Sequence, residues 1–167
     1  MTPLPRGRST QADEAVFDAL FLGHAARLTR LAHLLGARDA EDVVQEAFVK
    51  LYAAWSRVAG EDAVPYLNRI VVNEVRSRAR RQQTADRKRH LVTVTTDEPG
   101  PDGSRRAVVD ELARLPRRQR EALVLRYWLD LPHEQVAEIM GVRPGTVKSQ
   151  VSRGLAALAT ALGEEES

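Results

Sequence analysis

A run of polar side chains near the C-terminus combines the groups that proteins use to bind nucleic acid. Arginine and lysine bind phosphates or the edge of guanine, and serine and threonine hydroxyls bond to phosphates and to bases. On a helix these side chains would share one outward face. They are Arg143, Thr146, Lys148, Ser149, Gln150, Ser152 and Arg153. Their chemistry is recognition through hydrogen bonds and charge, with no covalent bond made or broken.

A second basic segment closes the N-terminal half of the chain. Between residues 76 and 89 it holds seven cations and one acid, Asp86. Consecutive cations point all round a helix, so carboxylates of the same helix cannot pair with all of them. The segment is either a phosphate-binding stripe or a solvated helix end, where cations are favourable anyway. The seven are Arg76, Arg78, Arg80, Arg81, Arg87, Lys88 and Arg89.

Four acids lie close together in the first third of the chain: Asp39, Glu41, Asp42 and Glu46. They form either a solvated face or the metal-binding carboxylates of a nucleic-acid enzyme such as a recombinase. All four belong to one helical stretch, and no distant carboxylate is evidently recruited. The four histidines are scattered without ligand spacing, and no nucleophile motif occurs. We therefore expect no catalytic residue, no metal site, no cofactor and no enzymatic activity.

Composition narrows the class of protein further. Aromatic residues make up 5% of the 167 residues, and the many Ala, Leu and Arg residues favour helices over sheets. The formal net charge is only +2, so DNA binding must depend on where the cations lie. The lack of cysteine excludes disulfides and zinc–thiolate sites. No apolar run approaches the roughly 20 residues of a membrane-spanning helix, and residues 1–11 do not form a signal peptide, so we expect a cytoplasmic protein.

Helices must position these groups, and the apolar spacing predicts where the helices lie. The first ends at Gly36, the second begins at Asp39 as its N-cap, and the third begins near Ala63 with Pro65 in its first turn. Apolar residues three and four positions apart would form the buried stripes. These stripes comprise Val16, Leu20, Leu28, Leu31 and Leu35; Val44, Ala47, Phe48, Leu51, Tyr52 and Trp55; and Leu67, Ile70, Val71 and Val75.

The polar run near the C-terminus belongs to a predicted helix-turn-helix. Gly141 can adopt the left-handed conformation that ends the first helix, and Pro144 prevents that helix from continuing. Val147, Val151 and Leu155 would form the inner stripe of the second helix, which leaves the polar residues facing outward. A recognition helix of this kind enters the major groove. By itself the motif also fits repressors, response regulators, transposases and a purely structural helical bundle.

A stretch rich in Pro, Gly and Asp separates the two helical parts. It lacks periodic apolar residues after Val94, which is typical of a flexible linker. The sequence thus predicts an all-α protein made of two small helical domains. The expected divisions are a disordered N-terminus at 1–12, a first domain at 13–84, a linker at 85–104 and a helix-turn-helix domain at 105–163.

Together the two halves resemble the extracytoplasmic-function sigma factors of bacterial RNA polymerase, over residues 13–162. The segment 39–52 is similar to the family's polymerase-binding helix. The segment 65–78 is similar to the helix that reads and opens the minus-ten promoter element, and 145–153 is similar to the minus-thirty-five reader. The sequence Val-Val-Asn at 71–73 and the arginine-rich helix end resemble an actinobacterial subgroup.

The resemblance implies roles for particular residues. The polymerase-binding residues would be Asp39, Asp42, Gln45, Glu46 and Val49. The minus-ten residues would be Tyr66, Arg69, Asn73, Arg76 and Arg80. The minus-thirty-five residues would be Arg143, Thr146, Lys148, Ser149, Ser152 and Arg153. The sequence departs from the family at Tyr66, where Trp is frequent, and near Ser77, where Asp is frequent.

A member of this family would act as an alternative sigma factor. It would bind the largest and second-largest subunits of core RNA polymerase and direct promoter recognition, DNA opening and transcription initiation. The resemblance also allows an anti-sigma factor as a partner. A repressor or response regulator is the alternative, although no alternation of strands and helices precedes Gly60.

Overall fold

Helices joined by short turns make up the residues that the structure, a computed structural model, describes: 11–58, 62–86 and 103–164. No β-strand occurs within these ranges, which confirms the predicted fold class. Nor does any helix in them have an apolar stretch long enough to cross a membrane. The helices are α1 (Gln11–Leu34), α2 (Ala40–Ala54), α3 (Ala63–Asp86), α4 (Gly103–Arg114), α5 (Arg117–Leu123), α6 (His133–Met140) and α7 (Pro144–Glu164), with a π-helical turn (Val124–Trp128) after α5.

Helices α1, α2 and α3 pack around one apolar core. Leu31, Val43, Leu51, Leu67 and Val71 are completely buried there. Within each helix the buried residues recur three and four positions apart, which turns one face of each helix toward the other two. Because α2 and α3 share this core, the polar faces on their outer sides have a fixed orientation relative to each other.

Two glycines end helices in the same manner. Gly36 follows α1 with φ of 94°, and Gly141 follows α6 with φ of 66°, both in the left-handed region that a Cβ disfavours. After α6, the N–H of Val142 donates to the carbonyl of Ala137 at 3.0 Å. After α1, the N–H of Ala37 donates to the carbonyl of Ala32 at 2.9 Å. This closure satisfies carbonyls that have no partner within the helix. Both predicted helix ends are therefore confirmed.

Helices α4 to α7 form a second packed group, in which α5 lies along α7. Helix α6, the turn at Gly141 and α7 form the predicted helix-turn-helix. Val136 and Met140 of α6 are buried against the helix pair, as are Val147 and Val151 of α7. Packing of these four residues fixes the angle at which the outer side of α7 is presented.

The predicted stripes were wrong at three positions, because Val16, Tyr52 and Leu155 are 49%, 56% and 43% exposed. Val16 lies near the start of α1, whereas the buried residues of that helix lie in its second half. Tyr52 is at the surface, where its ring meets the ring of Phe17 edge-on with centroids 5.5 Å apart. Helix α5 crosses α7 at Gly154, which turns the next residue, Leu155, away from the core. The remaining stripe positions are buried or partly buried.

The two groups of helices contact each other. Helix α1 packs against α4 and the π-helical turn, and buried apolar side chains of both groups form one cluster. Helix α1 begins at Gln11, two residues inside the predicted disordered N-terminus. Of the predicted linker at 85–104, residues 87–102 lie outside the described residues, as do residues 1–10.

Candidate nucleic-acid and polymerase interfaces

Helix α7 presents the predicted DNA-reading residues on its outer side. All six are exposed, whereas Val147 and Val151 on the opposite side are buried. The six are Arg143, Thr146, Lys148, Ser149, Ser152 and Arg153. Because α7 begins at Pro144, Arg143 immediately precedes it, and the other five residues occupy its N-terminal half, the part of a recognition helix that enters the major groove.

Helix α3 aligns the predicted minus-ten residues along one face. They are spaced alternately three and four residues apart, the spacing that stacks side chains on one side of a helix. Arg69, Asn73 and Arg80 are exposed, and Tyr66 and Arg76 are partly buried. The exposed members offer two guanidinium groups and one amide, which can bond to phosphates and to base edges.

Arg76 is the one member of this face whose partners lie in the other group of helices. Its guanidinium pairs with the carboxylate of Glu121 in α5 and donates to the carbonyl of Ile139, at the end of α6, over 3.2 Å. The side chains of Arg76 and Glu121 are 18% and 4% exposed. The middle of the α3 face thus lies against the helix-turn-helix group.

Helix α2 carries a face that is both acidic and apolar. Asp42, Gln45 and Val49 are exposed and Glu46 is partly buried, again at helical spacing. Val49 is 63% exposed, and Tyr52, one turn further on, prolongs the apolar part. Exposed apolar side chains rimmed by charges are typical of a protein-binding surface. Tyr52 was assigned to the core from its spacing, so sequence reasoning missed it as a surface residue.

Asp39 has a partner within the chain. It occupies the N-cap position of α2, yet its side chain makes no capping bond and instead pairs with Arg78 of α3. The Nε of Arg78 also lies 3.8 Å from a carboxylate oxygen of Glu74, which is buried and pairs with Lys50 of α2. This network joins α2 to α3. Only the contact between Glu74 and Arg78 is indicated by the sequence, because residues four positions apart lie next to each other on a helix.

The acids of α2 do not converge on a common point. Asp39 is paired with Arg78, Asp42 is exposed, and Glu46 is partly buried. In the part of the chain that the structure describes, no three or more histidines, aspartates or glutamates are grouped so that they could hold a metal ion. Asp42 and Glu46 lie on the same side of α2 as Val49 and form a charged surface there.

Cations gather where α3 meets α5. Burial lowers the pKa of the Arg117 guanidinium, Glu121 opposes that shift, and the charges of Arg76, Arg118 and Arg80 add to it. Arg76 and Arg80 of the basic segment at 76–89 therefore lie near Arg117 of α5. Glu121 is the carboxylate that offsets their mutual repulsion.

Comparison with known proteins identifies the family. The family models of sigma-70 region 2 and sigma-70 region 4 match residues 20–85 and 105–158. The ECF RNA polymerase sigma factor SigM of Mycobacterium tuberculosis is 35% identical over 161 residues, covering 90% of this chain and 79% of the relative. The chain belongs to the ECF sigma factors. Region 2 thus holds α2 and α3, and region 4 holds the helix-turn-helix.

Other comparisons agree with this assignment. The RNA polymerase sigma-E factor of Streptomyces avermitilis is 32% identical over 123 residues, covering 72% of this chain and 69% of the relative. The sigma factor RpoE from Bartonella quintana, solved in complex with the anti-sigma factor NepR, superposes with a TM-score of 0.76 at 25% identity, covering 89% of this chain and 97% of that one. As an ECF sigma factor, the protein is an alternative sigma factor: it binds core RNA polymerase and directs promoter recognition, DNA opening and transcription initiation.

Proposed function

We propose that the exposed faces of α2, α3 and α7 divide the work of this sigma factor. The α2 face docks on core polymerase, the α3 face reads and opens the minus-ten element, and the α7 face reads the minus-thirty-five element. The observation that carries the proposal is that each face collects exposed side chains suited to one kind of surface, acidic and apolar on α2 but cationic and amide- or hydroxyl-bearing on α3 and α7.

Docking on polymerase is assigned to Asp42, Gln45, Glu46 and Val49, which would meet the coiled coil of the largest subunit. Charge complementarity would select the partner, and Val49 would supply apolar contact at the centre. Asp39 is assigned a supporting part, because its pair with Arg78 holds α2 against α3. The second-largest subunit is the other proposed polymerase contact.

Opening of the minus-ten element is assigned to α3. Asn73 would bond to the edge of an unstacked base, Tyr66 would offer a stacking surface, and Arg69, Arg76 and Arg80 would hold the backbone. Binding energy drives the strands apart in this account. The protein makes and breaks no covalent bond, and we accordingly propose that it has no enzymatic activity and needs no cofactor.

Reading of the minus-thirty-five element is assigned to α7 in the major groove. Ser149, Ser152 and Arg153 would approach the bases. Arg143, Thr146 and Lys148 would lie nearer the phosphates and fix the register of the helix. The hydroxyl of Ser149 now donates to the carbonyl of Gly145 at 3.1 Å, so a rotation about one bond would turn it toward DNA.

We propose that residues 13–84 and 105–163 act as separate domains on the polymerase, joined by the linker 85–104. Linking two weak DNA contacts raises the effective concentration of the second once the first has formed. The proposed location is the cytoplasm, where the polymerase acts. An anti-sigma factor is the proposed regulator, supported by the likeness to RpoE, which was solved with its own anti-sigma factor.

The docking assignment is tested by reversing two charges, Asp42→Arg with Glu46→Arg. The proposed complementarity requires basic groups on the polymerase opposite these acids. Affinity for core polymerase should therefore fall about 100-fold, since both substitutions would place cations against those groups. The matched control is Glu134→Arg with Glu138→Arg, which reverses two exposed acids at the same spacing on α6. It should leave core affinity unchanged, and circular dichroism should show both variants folded. Unchanged core affinity of the α2 variant would refute the assignment.

A further inference from the structure

The ion pair of Arg76 and Glu121 is the polar centre of the contact between the two groups of helices. Both side chains are largely removed from solvent, at 18% and 4% exposure. Arg76 also donates to the carbonyl of Ile139 over 3.2 Å. That carbonyl lies in the last turn of α6, where carbonyls lack partners within the helix. Arg76 therefore satisfies two acceptors of region 4 while it belongs to the DNA-reading face of region 2.

Further contacts flank this pair. A Cβ placed on Gly36 would lie 3.1–3.2 Å from atoms of the Arg120 guanidinium, so Arg120 of α5 lies directly against the loop that ends α1. Arg120 also donates to the carbonyl of Ala113 at 3.2 Å. On the other side, Trp128 lines a shallow groove together with Arg27 and other residues of α1. The contact thus extends from the middle of α3 along α1.

Burial and repulsion of cations lower the stability of the same contact and so make it reversible. Burial lowers the pKa of the Arg120 guanidinium, and the charge of Arg117 lowers it further. The Nε of Arg120 is buried without a hydrogen-bond partner among the described residues, an arrangement that costs free energy. The charges of Arg76 and Arg80 in α3 also repel that of Arg117 in α5 across the contact. Separation of the two groups would return these cations to water, and the attraction between Arg76 and Glu121 opposes that separation.

We propose that the Arg76–Glu121 pair is a latch that holds the free protein closed and covers the middle of its minus-ten face. Arg76 cannot bond to DNA while Glu121 and Ile139 hold it. Promoter DNA or polymerase must displace the latch. The apparent DNA affinity of the free protein is then the affinity of the open state multiplied by the fraction of molecules that are open. The consequence for DNA rests on the proposed role of α3, whereas the latch itself does not.

Glu121→Gln isolates the latch because it keeps the shape of the side chain and removes its charge. In the closed state it leaves Arg76 buried opposite a neutral amide, and in the open state Arg76 is solvated as before. The open population should rise about tenfold, since removing one partner of a buried pair leaves the other charge uncompensated. The matched control is Glu111→Gln, which neutralises another buried glutamate of region 4 whose partner, Arg114, is on its own helix.

Distances between spin labels measure the two populations directly. The chain has no cysteine, so Ser56→Cys and Ala157→Cys, both at exposed positions, place one label on each group of helices. Double electron–electron resonance should show one dominant distance in the parent and in Glu111→Gln. Glu121→Gln should add a longer and broader population. A distribution identical to that of the parent would overturn the latch.

A second variant guards against misfolding of Glu121→Gln. Arg76→Gln breaks the same pair from the α3 side and should produce the same longer population. The double variant should be no more open than either single variant, because all three lack the same interaction. Additive opening would contradict the pairing.

DNA binding by the free chain then separates the latch from the function proposed for α3. With a forked minus-ten probe, Glu121→Gln should bind about tenfold more tightly than Glu111→Gln, which has lost the same amount of charge. If the distances shift and the affinity does not, the assignment of α3 to minus-ten DNA fails while the latch stands. If neither changes, the latch is refuted.

Discussion

Arg78 in the second half of α3 pairs with Asp39, the residue immediately before α2. Helix α3 bears the proposed minus-ten face and α2 bears the proposed polymerase face. Together with the pair of Lys50 and Glu74, this contact fixes the orientation of one face relative to the other. Docking on polymerase would therefore also place α3.

Asp39→Ala should lower the free energy of unfolding by about 0.5–1 kcal/mol, a modest loss because the Asp39 side chain is 40% exposed and the pair is screened by solvent. Asp42→Ala should leave stability unchanged and weaken binding to core polymerase more than Asp39→Ala does. Urea denaturation and a core-binding assay measure the two effects. Equal destabilisation by both substitutions would mean that the pair of Asp39 with Arg78 does not stabilise the packing of α2 against α3.

Gly154→Ala should destabilise region 4. Its Cβ would lie 2.7 Å from Cδ1 of Leu123, and overpacking costs about 1–3 kcal/mol, offset by about 1 kcal/mol from the better helix propensity of Ala. The control is Gly23→Ala within α1, where a Cβ meets nothing within 4 Å. That substitution should stabilise by about 0.5–1 kcal/mol. Thermal unfolding of the two variants should shift in opposite directions, and a stabilised Gly154→Ala would disprove the close crossing.

The sequence was sufficient to predict the helices and their ends because those depend on local chemistry. Gly36 and Gly141 end helices in the left-handed conformation, and Pro65 lies in the first turn of α3, as their residue types indicate. The side of a helix that a neighbouring helix covers depends on residues far away in the sequence, so local chemistry does not determine it. Leu155 fits the apolar spacing of α7, yet α5 crosses at Gly154, a residue that apolar periodicity does not count.

The candidate site was predictable to a similar degree. The family resemblance singled out Arg69, Asn73 and Arg80, and the structure places all three exposed on one side of α3. The engagement of Arg76 by Glu121 could not be foreseen, because the two residues are 45 positions apart and belong to different regions. Ion pairs between distant residues depend on how the two groups of helices pack together. Local sequence patterns do not predict that packing.

Arg153→Ala should cost about 1–3 kcal/mol of discrimination at one base pair of the minus-thirty-five element, the usual value of a base contact by arginine. Arg143→Ala, by contrast, should weaken binding equally on all sequences, since Arg143 is assigned to the backbone. Competition binding of the polymerase complex to promoters with single base changes measures both. A uniform loss for Arg153→Ala would reassign it to a phosphate.

Lys148→Gln should make the salt dependence of DNA binding shallower. Each phosphate contact contributes about 0.9 to the slope of log affinity against log salt concentration on duplex DNA, so the slope should fall by about that amount. Titrations at several potassium chloride concentrations measure it. Ala157→Gln, at an exposed position of the same helix beyond the polar run, is the control and should leave the slope as it is.

Reconstituted transcription tests the central claim most directly. Purified protein is added to active core RNA polymerase with a library of promoter DNA, and the start sites of the transcripts are sequenced. The account predicts initiation at a defined subset of sequences that share minus-ten and minus-thirty-five elements, lost with Asp42→Arg and Glu46→Arg together. No initiation from any promoter, with folded protein and active core, would contradict it.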